Sequence, residues 1–129
     1  MLVDELVALE KRKLDPWYGE ASTAAYLDTL AGDATYFDPW IAKKLRGAEV
    51  KHYVAGFEGK IPRLEYEIED ATADRRGDVV IFTYAITHPA DQATGEVVPP
   101  WMVTTILNRV ADGWEVIHTH YGLPVPPEG

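Results

Sequence analysis

The sequence predicts an α+β domain in which three N-terminal helices pack on a curved antiparallel sheet. Two patterns carry that reading. Up to about residue 57 the apolar residues recur at helical spacing, and from Leu64 they alternate with polar ones, as a strand with one buried face requires. A chain of 129 residues bounds this to one domain, 1–129, with one core.

Residues 2 to 14 read as the first helix, because Leu2, Val3, Leu6, Val7, Leu9 and Leu14 make one apolar stripe. Asp4 and Glu5 stand at its start and Lys11, Arg12 and Lys13 at its end, each with the sign the macrodipole favours. Asp15-Pro16 is expected to stop it. A second helix fits residues 20 to 31, with Tyr26, Leu27 and Leu30 inward and Gly32 as its C-terminal stop. Residues 34 to 38 are short and aromatic, end at Pro39 and read as a strand. After Gly47, Val50, Tyr53, Val54 and Phe57 fall at i, i+3, i+4 and i+7, a third amphipathic helix closed by Gly59.

Leu64, Tyr66 and Ile68 then alternate with Glu65, Glu67 and Glu69. Arg75-Arg76-Gly77-Asp78 turns the chain into an apolar strand, Val79 to Thr87. His88 to Glu96 read as a polar loop, Val98 to Val110 as a further strand, and Ala111-Asp112-Gly113 as a tight turn into a last strand, Trp114 to Tyr121. The Pro-rich tail after Tyr121 cannot be a central strand and is expected to run extended over the surface.

Composition narrows the function. Twenty-one acids against 12 bases give a net charge of −9, which repels phosphate backbones and anionic membranes, and no Lys/Arg stripe offsets it. No apolar run approaches the ~20 residues that span a bilayer. The opening MLVDELVALEKRK has acids before bases and no apolar stretch of the secretory kind, so a cytoplasmic location is expected. Without cysteine there are no disulfides or thiolate metal sites. The glycines are scattered among turns rather than gathered in a phosphate loop, and no Ser or Cys elbow motif is present.

Three stretches carry a family resemblance: Asp-Ala-Thr-Tyr-Phe-Asp-Pro at 33 to 39, the Gly-initiated helix at Gly47, and Asp-Gly-Trp-Glu-Val-Ile-His-Thr-His-Tyr-Gly at 112 to 122. Together they resemble the NTF2-like superfamily over nearly the whole chain. The likeness is closest to its SnoaL-like and ketosteroid-isomerase-like branch, and to the association domain of calcium/calmodulin-dependent protein kinase II. The resemblance implies the cone-shaped NTF2-like (cystatin-like) fold, with a pocket between helices and curved sheet. In ketosteroid isomerases a carboxylate just before a proline after the first strand is the general base, and Asp38-Pro39 matches that position. The family's oxyanion donors are not matched. The first-helix tyrosine falls at Leu14, with Trp17 and Tyr18 beyond, and the late-strand aspartate falls at Thr104 and Thr105. Ala85 and Ile106 occupy the nearest equivalents of the association domain's pocket arginines.

Asp38 is therefore the candidate general base; the alternative is a turn aspartate accepting backbone N–H groups at Pro39. Trp17, Trp40 and Trp101 lie near element ends, and with Tyr36, Tyr53, Phe57 and Tyr121 they are the candidate ligand-binding walls; the alternative is that these rings simply close the core. His118 and His120 point the same way from one strand. They could hold two coordination positions, but no third ligand is evident, and no metal or cofactor is expected. They are placed instead on the outer sheet face where a homodimer would form, or in hydrogen bonds of a core layer, and the opposite face carries Ile117, Thr119 and Tyr121 toward the cavity. The expected function is binding of a small apolar organic molecule by a homodimer. The alternatives are an isomerase, dehydratase or cyclase using Asp38, and an oligomerisation module like the kinase domain.

Overall fold

The apolar stripe at the start of the chain forms helix α1 (Leu2–Glu20) in the computed structural model, which describes residues 1–89 and 99–123. The helix does not stop at Asp15-Pro16 as expected. Pro16 lies inside it and can donate no N–H to the preceding turn, but Trp17 and Tyr18 beyond it pack on the core and hold the last turn in place. Ala21 ends the helix in the left-handed conformation (φ 52), and the N–H groups of Ala21 and Ser22 both donate to the Pro16 carbonyl.

Helix α2 is shorter than expected (Ala24–Thr29), because Leu30, Ala31 and Gly32 already belong to strand β1 (Leu30–Phe37). Leu30 pairs with Val116, and sheet pairing overrides the helical pattern read from these residues. A two-residue strand that the sequence did not signal, β2 (Leu45–Arg46), pairs with β1 and leads into helix α3 (Ala48–Ala55). Gly47 is obligatory at this junction. Its φ is 59, and an added Cβ would meet the Gly32 carbonyl oxygen at 3.2 Å. Val50 and Val54, one turn apart, bury α3 as predicted, though the helix ends before Phe57.

Strand β3 (Glu67–Arg76) begins later and ends later than the alternation suggests, so Leu64 lies outside it. Asp70 has φ 54 and the register skips between Glu69 and Thr72, a bulge that turns Ile68 and then Ala71 toward the core. Gly77-Asp78 makes a two-residue turn into β4 (Val79–Thr87). β5 (Trp101–Val110) and β6 (Gly113–Gly122) follow. The predicted loop over residues 90–96, the strand start at Val98 and the tail from residue 124 lie outside the described residues.

The strands form one curved, unclosed sheet in the order β2-β1-β6-β5-β4-β3. The last four run antiparallel in series as predicted, whereas β1 lies parallel to β6. Val80, Phe82, Ile86, Val103, Leu107 and Val116 on the inner face meet Leu6, Leu14, Val50 and Val54 of the helices. No helix among the described residues is long and apolar enough to cross a membrane.

One expected helix-end charge is in the core. Leu6, Glu10, Lys13 and Leu14 share one face of α1, and Glu10 and Lys13 are 0% and 2% exposed. Lys13 Nζ lies 2.8 Å from Glu10 Oε1, a charge contact without good hydrogen-bond alignment. The Tyr84 hydroxyl donates to Glu10 Oε2 at 2.8 Å, and Lys13 sits 4.9 Å over the Tyr26 ring. Removing one member of such a pair strands the other in a water-poor site at a cost of about 3–5 kcal/mol. Lys13→Met is therefore expected to lower the urea-unfolding free energy by about that amount, and Glu10→Met/Lys13→Met by less. A loss under about 1 kcal/mol for Lys13→Met would mean that the pair does not bear on stability.

Candidate functional site

Between the helices and the inner sheet face lies a cavity of about 320 Å3. Six of the eight residues predicted to form a site bring rings to it: Trp17, Tyr36, Trp40, Phe57, Trp101 and Tyr121. Asp38 lines it too, 7% exposed. Tyr53 is not in the wall but is joined to it through Asp38. The rings pack on one another at the mouth, Trp40 on Trp101 with centroids 4.9 Å apart and Trp101 on Tyr121 at 6.1 Å. Deeper in, Trp17 packs against Tyr26 and Phe57.

Asp38 takes the turn role and lines the cavity as well. Its Oδ1 accepts the Trp40 backbone N–H at 2.8 Å, which is the turn role, and it does so from inside the cavity wall. Its Oδ2 accepts the Tyr36 hydroxyl at 2.9 Å and the Tyr53 hydroxyl at 2.7 Å. Two phenols and one N–H thus fix a buried carboxylate, so both lone pairs of Oδ2 are engaged and one of Oδ1 remains for another donor.

Several wall residues carry little signal in the sequence. Tyr18 was noted only as lying beyond Leu14, and it reaches the cavity because α1 continues through Pro16. Tyr26 was read as a core residue, yet it lines the cavity and its hydroxyl lies 2.8 Å from that of Tyr121. Such a pair uses one O–H between its members and leaves the other proton for an acceptor. His88 was assigned to a loop, and no periodicity could have found it. Burial pushes the phenols of Tyr26, Tyr36 and Tyr121 up and moves Tyr18 to about 12, so at neutral pH all four remain hydrogen-bond donors. Tyr53 is raised as well, by burial and then by its bond to Asp38.

Of the positions expected to face the cavity from β6, only Tyr121 lines it. Ile117 sits where the β5–β6 register slips, and Thr119 is buried beneath the wall at 1% exposure. Among the family-derived positions, Thr105 is fully buried on the inner face, while Thr104, Ala85 and Ile106 alternate onto the outer one. His118 and His120 also lie on that outer face. Phe37 packs on both rings, and Thr35 Oγ1 lies 2.7 Å from His118 Nδ1. Burial, then the charges of His120 and Lys44, hold His118 below the usual histidine range. Among the described residues no three His, Asp or Glu side chains gather as a metal site.

A family model described as a SnoaL-like domain matches residues 14–126. No curated protein sequence matches the chain. Among solved structures, an NTF2-like protein of unknown function from Pseudomonas putida aligns with TM-score 0.79 at 19% identity, covering 98% of this chain and 89% of its own. A ketosteroid isomerase candidate from Parabacteroides distasonis aligns at 0.74 and 22%, covering 94% and 86%. The calcium/calmodulin-dependent protein kinase II hub of S. rosetta aligns at 0.72 and 19%, covering 92% and 94%. These likenesses establish the NTF2-like, cystatin-like fold.

The three-donor clasp on Asp38 sets an expectation. Asn at this position has one acceptor oxygen, so its amide must face a phenol or the Trp40 N–H that requires an acceptor. Asp38→Asn should therefore lower stability by about 1–3 kcal/mol in thermal or urea unfolding. A variant that melts with the parent would show that the clasp holds nothing.

Proposed function

The chain belongs to the SnoaL-like domain family, and from that premise we propose that it is a single-domain homodimer binding a small, largely apolar organic molecule in the aromatic cavity. The observation that carries this reading is the make-up of the wall. About 320 Å3 is enclosed mainly by rings and aliphatic side chains, with Asp38, Lys60, His88 and the tyrosine hydroxyls as a small convergent set of polar groups. Binding sites for small molecules have that composition and a volume of roughly 300–1,000 Å3. A cytoplasmic location fits the acidic, cysteine-free chain.

Catalysis is the second reading, and one observation favours it. Asp38 lies in the cavity wall with Tyr36 and Tyr53 on the same oxygen. An isomerase, dehydratase or cyclase would use its remaining Oδ1 lone pair as the base and a cavity phenol as the donor. The proposal for the ligand-binding set is Trp17, Tyr36, Trp40, Phe57, Trp101 and Tyr121, with Tyr53 acting through Asp38.

The outer face supports dimerisation. Ile81, Ile106 and His118 form one row across β4, β5 and β6, and Thr83, Thr104 and His120 the next. No Lys, Arg, Asp or Glu interrupts either row, and Met102 beside them is 52% exposed. Charge-depleted surfaces of this kind suit the centre of a two-fold contact. A larger assembly through the same face, as in a kinase hub, is the remaining alternative.

Two measurements test the proposal. Titration with 1-anilinonaphthalene-8-sulfonate should saturate at one probe per chain, and Trp17→Ala should weaken binding about tenfold by removing a large apolar wall. Failure to saturate at millimolar probe would defeat the binding reading. In sedimentation velocity at micromolar concentration the chain should run as two copies, and Ile106→Glu should run as one. A parent chain that sediments as a monomer would exclude the dimer, and a ring of more than two copies would favour the hub reading.

A further inference from the structure

The mouth of the cavity is built from one end of the sheet, and the strand order fixes what stands where along it. Asp38 follows Phe37, which pairs with His120; Met102 pairs with Gly122, and Ile86 with Trp101. Read across β1, β6, β5 and β4, the mouth therefore presents Asp38, Tyr121, Trp101 and finally His88, which follows Thr87. Asp38 stands level with Tyr121, Val103 and Tyr84, and His88 lies three strands across and four residues further along, roughly 20 Å away along the sheet. Asp38 and His88 stand on opposite flanks.

His88 is 8% exposed and lines two hollows at once. On one side is the aromatic cavity. On the other is a groove of about 680 Å3 that carries Asp15, Glu65, Glu67 and Glu69. Tyr18 meets the His88 ring edge-on, with centroids 5.1 Å apart. His88 Nδ1 lies 2.7 Å from the Glu65 backbone carbonyl oxygen. A carbonyl oxygen can only accept, so Nδ1 must carry the proton, and in the neutral ring Nε2 then carries a lone pair. The ring is thus held by a backbone bond on one nitrogen, and among the described residues no protein group bonds the other. Its neighbours at the mouth are aromatic, and the phenols farther along are donors.

We infer that His88 is a second ligand-contacting group of the aromatic cavity, its Nε2 accepting a hydrogen bond from a hydroxyl on the end of the ligand farthest from Asp38. This rests on the cavity-binding reading and sharpens it. The ligand class becomes an aromatic or alicyclic body bearing a hydroxyl group, with the donor end on the His88 flank.

The test uses two probes of nearly the same shape, 2-naphthol and 2-methoxynaphthalene, titrated against the full chain by intrinsic fluorescence. The parent should prefer 2-naphthol about tenfold, the size of one hydrogen bond in a closed site. His88→Phe keeps a ring against Tyr18 and removes the acceptor. It should bind 2-methoxynaphthalene as the parent does and show less than about a twofold preference. A preference that survives His88→Phe, or is absent from the parent, overturns the inference while leaving the cavity reading intact. If neither probe saturates the parent, the cavity reading fails and the inference with it. Should His88→Phe not fold, long-range 1H–15N spectra of the parent still decide. They should show protonated Nδ1 and bare Nε2, with the Nε2 resonance moved by 2-naphthol and not by 2-methoxynaphthalene. A protonated Nε2 in the neutral ring, or an Nε2 resonance indifferent to both probes, would sink it.

Discussion

The parallel pairing of β1 with β6 is the constraint on which the rest of this molecule depends. It seats Tyr36 beside Thr119 and Phe37 beside His120, and so delivers the next residue, Asp38, to the cavity wall. The same pairing continues the inner face past Tyr121, against which α2 and α3 can pack. A parallel neighbour demands a long crossover, and everything from Asp38 to Asp112 supplies it: α3, then the three-strand meander that curls back to β6. Thus one ladder of hydrogen bonds sets both the closure of the core and the place of the carboxylate in the cavity wall.

Within that frame the polar groups are arranged by accounting rather than by exposure. A buried hydroxyl or carboxylate without a partner costs more than a hydrogen bond returns. Tyr36 and Tyr53 meet on Asp38, Tyr26 meets Tyr121, and Tyr84 meets Glu10, itself opposed by Lys13. The sheet interior is consequently a layer of apolar side chains with polar pairs set into it, the buried hydroxyls of Thr105 and Thr119 alone standing without a partner among the described residues, and the cavity is lined by some of those pairs. Rigid donors and acceptors at fixed places are what a site needs to orient an otherwise greasy ligand.

Much of this was legible in the chain. The third helix and the order of the strands from Val79 to Tyr121 follow from periodicity, and the aromatic wall follows from rings placed at element ends; the slip at Ile117 does not, because a bulge leaves no alternation to read. What escaped did so for physical reasons. Pro16 reads as a stop because local rules favour one, while the packing of Trp17 and Tyr18 is a tertiary fact. Leu30 suits a helix face and a strand equally, and only the presence of Val116 decides between them. Lys13 shares a face with Leu6 and Leu14, a spacing visible in sequence, but a lysine on an apolar stripe is ordinarily a solvated end. His88 leaves no pattern at all, since its place comes from where β4 ends relative to strands far away in the chain.

The bulge at Asp70 has a bearing on how the protein behaves in a crowded solution. β3 is one rim of an unclosed sheet, and the unpaired N–H and C=O groups along its outer side would invite a foreign strand to dock. Here the kink at Asp70 breaks the rim into two short lengths, and Glu67, Glu69, Asp70, Asp74, Arg75 and Arg76 place charge along both. The opposite rim, β2, is two residues long. Both rims are therefore poor templates for strand addition, so that the sheet is guarded at its edges against growing by foreign strands.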